Sequence, residues 1–183
     1  MNHTASIVLF ASASFLIGIA PRSHADDFKP EEGFTLLFNG KDLTGWKTTK
    51  GESLDGKTEA YAGRFKVADG ILTLDPSVKG DVRIVTAKEF AGDVHIKFDF
   101  MPGAKCNNDL FLRGTKFDLK IEDVKEWKEG EWNTCELVLK GDKVEFKVNG
   151  RSIRKMTAKD KATPFELRAE IGPMKVRRMQ IKE

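Results

Sequence analysis

From Asp93 to Ile121 apolar and polar residues alternate through two or three consecutive strands. Val94, Ile96, Phe98 and Phe100 fall on one face of the first strand, with His95, Lys97 and Asp99 on the other. After a loop over Met101–Asn108, the segments Asp109–Arg113 and Lys116–Ile121 flank Gly114-Thr115, a pair suited to a type II′ hairpin. That turn predicts Arg113 opposite Lys116, Leu112 opposite Phe117, Phe111 opposite Asp118, Leu110 opposite Leu119 and Asp109 opposite Lys120. Every inward pair is then apolar, and Asp109, Phe111, Arg113, Asp118 and Lys120 share the outward face. If the Val94 strand lies in the same sheet, it adds His95, Lys97 and Asp99 to that face. Acids, bases and an aromatic together suit a polyhydroxylated ligand, while a solvated face with cross-strand ion pairs is the simpler account of the same pattern.

The rest of the chain carries the same period. Phe34–Phe38 is a short apolar strand before the Asn39-Gly40 turn, and Thr48–Gly63 is a polar loop. Asp69-Gly70 is a type I′ signal that pairs Val67 with Leu72 and Phe65 with Leu74. Val82–Thr86 is β-branched, and Lys88–Gly92 reads as a connection. Cys135, Leu137 and Leu139 alternate inward; Gly141-Asp142 and Asn149-Gly150 are turns, the second placing Ile153 opposite Phe146. Phe165, Leu167, Ala169 and Ile171 alternate again, Gly172-Pro173 breaks the strand, and a change of phase at Arg177-Arg178 predicts a bulge. No amphipathic helix of three turns follows Ala25. Ten or more short strands with glycine turns predict an all-β sandwich of two antiparallel sheets, with almost no helix after the N-terminal segment.

That segment belongs to processing. Ile7–Ala20 is an apolar run of about fourteen residues, and Ser23-His24-Ala25 offers an A-x-A-like cleavage site before Asp26. Residues 1–25 are therefore expected to be a secretory signal, 26–183 one domain, and the location secreted or periplasmic. Removing Arg22 from the 31 basic residues leaves 30 against 28 acidic ones, interleaved without a basic stripe, so nucleic acid is not an expected partner. No second apolar stretch approaches membrane length. The oligomeric state is left open.

Cleavage would also leave His95 as the only histidine, which excludes multi-histidine zinc sites and any serine or cysteine triad that does not use it. Cys106 and Cys135 either form one disulfide, stabilising by ~3–4 kcal/mol on the chain-entropy model, or remain buried thiols. Asn107, Asn108 and Asp109 offer oxygen ligands to calcium, but polar turn residues show this spacing routinely, and no metal is expected. No glycine-rich phosphate loop leads from a strand into a helix, and no cofactor is expected.

Several stretches resemble one family. Gly33-Phe34-Thr35-Leu36-Leu37-Phe38-Asn39-Gly40-Lys41-Asp42-Leu43-Thr44-Gly45-Trp46 resembles the opening motif of the 3-keto-disaccharide hydrolase domain family. Thr86 with Glu89–Asp93, Leu110–Gly114, Gly130-Glu131-Trp132-Asn133, Asn149-Gly150 and the ending Val176–Glu183 follow in order. The resemblance implies a concanavalin A-like, laminin G-like jelly roll that hydrolyses glycosidic bonds in sugars oxidised at C3. There the ketone acidifies the C2 proton and permits elimination followed by addition of water. Such chemistry needs a base near C2, a donor for the leaving oxygen and stabilisation of an enolate.

Arg113 and Asp118 match the motif positions, Asp118 standing where the family commonly has Glu. With them the central face supplies Asp99 as a second acid or base and His95 as a proton-transfer candidate. Asp109, Phe111, Lys120 and Lys97 are expected to contact carbohydrate, with Trp46 or Trp127 as stacking surfaces. Two departures bear on activity. Asn107-Asn108-Asp109 replaces the common Asn-Ser-Gly, and only Glu122–Glu129 stands where the family often has a longer loop. The alternative is a non-catalytic carbohydrate-binding module of the same fold.

Overall fold

In the computed structural model, which describes residues 28–183 except 121, 123 and 126, the alternating segments become fourteen strands, and no helix is present among the described residues. The expected signal segment lies outside the described residues. One sheet runs β12 (Arg151–Thr157), β11 (Lys143–Val148), β10 (Asn133–Lys140), β7 (Val94–Pro102), β14 (Met174–Lys182), β5 (Ile71–Leu74), β4 (Phe65–Ala68) and β3 (Glu59–Ala60). Its ninth strand, β1 (Thr35–Leu36), pairs with the end of β14 beyond the bulge, where Arg178 has φ 53°. The second sheet runs β2 (Trp46–Thr48), β6 (Val82–Phe90), β13 (Thr163–Ile171), β8 (Asn107–Leu112) and β9 (Thr115–Lys120). All pairings are antiparallel, and the two sheets form a jelly-roll sandwich.

The core is the sum of the inward alternations. Phe98, Phe100, Cys135, Leu137, Phe146 and Val176 from the larger sheet meet Ile84, Leu110, Phe117, Phe165 and Leu167 from the smaller one. The rings of Phe117 and Phe146 lie 5.2 Å apart across the gap, so the two sheets interdigitate rather than merely face each other. Val67 pairs with Leu72 and Phe65 with Leu74 around Asp69-Gly70, as their period requires. Gly172 marks where β13 leaves one sheet for the other. With φ +72°, it brings the chain so close to Lys105 and Cys106 that an added Cβ would sit 2.7 Å from the Lys105 carbonyl oxygen.

Four local expectations change. The β8–β9 turn is Arg113-Gly114, both at positive φ (51° and 71°), rather than Gly114-Thr115. Leu112 therefore pairs with Thr115, Leu110 with Phe117 and Asp109 with Asp118. Thr115 is fully buried and donates its hydroxyl to the Leu112 carbonyl, which draws it out of the turn and into the strand. The partner index changes by two, so the paired side chains of both strands keep the faces that their alternation assigned, and Arg113, drawn into the turn, leaves its own. At the Asn149-Gly150 turn a bulge sets Phe146 opposite Arg154 instead of Ile153. β6 continues through Lys88 to Phe90, because Phe90 is drawn into the core and pairs with Thr163. Finally, β7 belongs to the larger sheet, and the chain crosses to the smaller one between Gly103 and Cys106 before β8 begins.

Candidate functional site

The outer face of the smaller sheet collects charge from all five of its strands. Lys47, Val85, Glu166, Phe111 and Lys116 form one row across it; Arg83, Arg168, Asp109 and Asp118 form the next. Strand alternation alone places these side chains outward, yet Asp109 is fully buried there. Its neighbours cover it. Arg168 donates from Nη1 to Asp109 Oδ2 at 2.6 Å, and Lys116 Nζ lies 3.7 Å from the same oxygen.

Arg168 is the hub. It grips Asp81 with two hydrogen bonds, from Nε to Oδ1 at 2.6 Å and from Nη2 to Oδ2 at 2.5 Å, and lies 3.2 Å from Glu170. The Asp81 bond, with the neighbouring carboxylates, holds the guanidinium more firmly protonated than usual despite its burial. Asp118 is bound by Lys116 at 2.5 Å and by Arg154 at 3.5 Å, the latter reaching over from β12 at the edge of the other sheet. Arg83 bonds Glu166 at 3.1 Å and stacks on Phe111, 4.1 Å from the ring centre.

Two carboxyls on this face are pushed in opposite directions. Burial lifts Glu170 above the ordinary carboxylate value, and the charges of Asp109 and Asp81 add to the rise while Arg168 opposes it. Burial also acts upward on Asp118, but the Lys116 ammonium outweighs it and holds Asp118 below its usual range. Separated carboxyls of this kind divide naturally into a proton donor and an ionised partner. Beside them, Asp109 Oδ1 and Asn107 Oδ1 are buried without a hydrogen-bond donor. Burying an acceptor unpaired costs about 1–3 kcal/mol, a local cost that the ion-pair network around these two oxygens offsets. The three oxygen residues considered for calcium do not converge. Asn108 turns inward, donating to the Gly172 carbonyl and accepting from the Glu170 amide.

Of the expected residues, Asp109, Phe111, Asp118 and Lys120 share this face. Arg113 does not: it sits in the β8–β9 turn, its Nη1 donating 2.8 Å to the Ala91 carbonyl, its Nε to the Asp160 carbonyl, and its backbone amide to Thr163 Oγ1. Asp99, His95 and Lys97 lie on the outer face of the larger sheet, across the sandwich, because β7 pairs with β10 and β14. There His95 bonds Glu136, Asp99 takes Arg177 and Arg178, and Lys97 takes Glu31. Trp46 is a core residue, 1% exposed, with its Nε1 donating to the Leu37 carbonyl, and Trp127 is likewise buried; neither offers a stacking face. Cys106 and Cys135 are buried free thiols rather than a disulfide, and burial pushes both well above the ordinary thiol pKa, Cys106 to about 11.

Glu170, Arg168, Glu166, Arg83, Asp81 and Lys116 were not expected. The signal was present for β13: with Phe165, Leu167, Ala169 and Ile171 on one face, Glu166, Arg168 and Glu170 must take the other. What local pattern lacks is the neighbour relation, since β13 is inserted between β6 and β8, which precede it by more than fifty residues.

Residues 33–127, a little over half of the chain, match the 3-keto-alpha-glucoside-1,2-lyase-like domain. No curated protein matches the chain. Among solved structures, a candidate glycosyl hydrolase from Parabacteroides distasonis superposes with a TM-score of 0.65 at 21% identity, over 82% of this chain and 94% of that one. A second from the same organism gives 0.57 at 14% identity, over 75% and 98%. The carbohydrate-binding module CBM66 from Bacillus subtilis gives 0.60 at 11% identity, over 81% and 100%. At such identities these likenesses establish the sandwich fold.

Proposed function

The chain belongs to the 3-keto-alpha-glucoside-1,2-lyase-like domain family, and on that premise we propose that it is a carbohydrate-active domain that cleaves glycosidic bonds of C3-oxidised sugars on the outer face of its smaller sheet. The observation that carries this reading is the pairing, on one partly exposed face, of a raised Glu170 with a lowered Asp118. The ionised Asp118 takes the C2 proton, and the C–H electron pair passes into an enolate with the C3 ketone. Collapse of the enolate forms the C1–C2 double bond and breaks the glycosidic C1–O bond, its electron pair leaving on oxygen. Glu170 protonates that oxygen, and water adding across the double bond completes hydrolysis. Arg168 and Lys116 supply fixed positive charge near the developing anion. Export through the apolar N-terminal run is part of the same proposal.

Incubating the purified protein with 3-keto-glycosides and with ordinary disaccharides tests the reading directly. Turnover of the oxidised class is expected. No turnover of either class across pH and added divalent metals would overturn it.

The second reading, a binding module without catalysis, is favoured by one observation: Asp81, Asp109, Glu166 and Asp118 are all engaged in ion pairs. The two readings part on substitution. In an enzyme, Asp118→Asn abolishes turnover and retains affinity. In a binding module, Phe111→Ala weakens binding more than the amide change does.

A further inference from the structure

His95, Lys97 and Asp99 point away from the proposed catalytic face, and the surface around His95 has a shape and charge of its own. Val138 lies opposite His95 on one side and Lys182 on the other, so the three form a row across β10, β7 and β14. Around this row is a concavity of about 440 Å³, rimmed by Lys140, Lys147 and Lys182. That size is within the range of small-molecule sites.

The acids of this region are already engaged. Glu136 bonds His95 Nε2 at 2.7 Å, Glu183 bonds Lys88, and Asp93 accepts from the Gly141 amide. Lys147 is 3.6 Å from Glu145. Lys140 and Lys182 are in no ion pair among the described residues, which leaves two ammonium groups flanking an apolar floor at Val138. The His95 ring is braced from two sides, by Glu136 and by the edge of Phe34, whose centroid is 5.1 Å away. An apolar patch, a fixed imidazole and two uncommitted cations match one ligand chemistry: a ring with C–H surface, hydroxyls and an anionic substituent.

We propose that this concavity binds an acidic saccharide, a pyranose carrying a carboxylate or a sulfate, at a site separate from the face of the smaller sheet. It gives the domain a hold on an anionic glycan while the other sheet is free to act on a neutral sugar. Because it rests on the larger sheet alone, it stands or falls independently of the reaction proposed above.

The test is titration of the isotope-labelled protein, followed by NMR, with methyl glucuronide, glucose 6-sulfate, methyl glucoside and inorganic sulfate. One or both acidic sugars are expected to shift the amides of Val138, His95 and Lys182, and whichever binds identifies the anion. Binding should weaken as salt rises from 50 to about 300 mM, since exposed charges are screened over a shorter distance. The Lys140→Glu/Lys182→Glu variant should lose at least fivefold in affinity, while Asp118→Asn should lose none. Equal binding of methyl glucoside, equal binding of inorganic sulfate, or shifts confined to the other sheet would each overturn the proposal. If the double variant fails to fold, Lys140→Gln alone, expected to lose at least twofold, decides the same point, and unchanged affinity would overturn it.

Discussion

The two outer faces of the sandwich begin from the same pattern and end differently. On the larger sheet, His95, Lys97 and Asp99 alternate with core residues and each takes a hydrogen-bond or ion-pair partner that water still reaches, as with Lys97 and Glu31. On the smaller sheet, Asp109 and Asp118 alternate in the same way, but Arg168 and Lys116 close over them until Asp109 is fully buried. The first arrangement is what any solvated β face achieves. The second removes charge from water, and a desolvated network is where proton affinities separate and where loss of one partner is severe.

The largest expected difference is in turnover. Glu170→Gln should lower it by roughly 10²–10⁴-fold if Glu170 is the proton donor, whereas His95→Ala, across the sandwich, should change it less than about twofold, because the ring lies outside the reacting face. Steady-state rates on a 3-keto-glycoside measure both, and a comparable loss from the two would erase the distinction between the faces.

Next in size is stability. Arg168→Ala strands the Asp109 carboxylate without its closest cation and should cost about 3–5 kcal/mol in urea unfolding. Lys97→Ala breaks a partly exposed pair and should cost about 0–1 kcal/mol. Similar midpoints for the two variants would show that the buried network is no more than a surface one.

Arg113 ties the edge of the smaller sheet to Ala91 and Asp160 rather than reaching the face. Arg113→Ala is therefore expected to cost about 1.5–3 kcal/mol through lost hydrogen bonds while the turnover of the folded fraction is unchanged. A selective loss of turnover with intact stability would return Arg113 to the reaction.

The smallest effect is the pH dependence. Asp118 is lowered in the folded state, so its contribution is present above the unfolded carboxylate value and is lost as pH falls through the folded one. Glu170 is raised, so its contribution is present below the unfolded value, near 4.5, and is lost as pH rises through the folded one. Asp118→Asn should flatten the acid limb of the stability profile, and Glu170→Gln should raise stability at neutral pH relative to acid. Profiles that shift the opposite way would contradict the environments described for the two carboxyls.

Most of the sandwich was legible because a strand declares its faces locally. Period two separates inward from outward side chains without reference to the rest of the chain, which is why Phe98, Leu110, Phe117, Cys135 and Leu167 could be placed in the core. Two-residue turns such as Asp69-Gly70 also fix their own register, and even the misplaced β8–β9 turn kept the faces of the paired residues, though not of Arg113, because its partner index changed by two. The Gly172-Pro173 break and the Arg177-Arg178 bulge were likewise local. Which strands become neighbours is decided only by closure of long loops and by the fit of one apolar face on another. Nothing between Asp93 and Asn108 announces that the chain changes sheets, so His95 and Asp99 were expected beside Asp118. Nothing within Thr163–Ile171 announces that it lies between β6 and β8, and that insertion alone brings Arg168 and Glu170 to Asp109. Local alternation determined the direction of each side chain; the long-range order of the strands decided which of them meet.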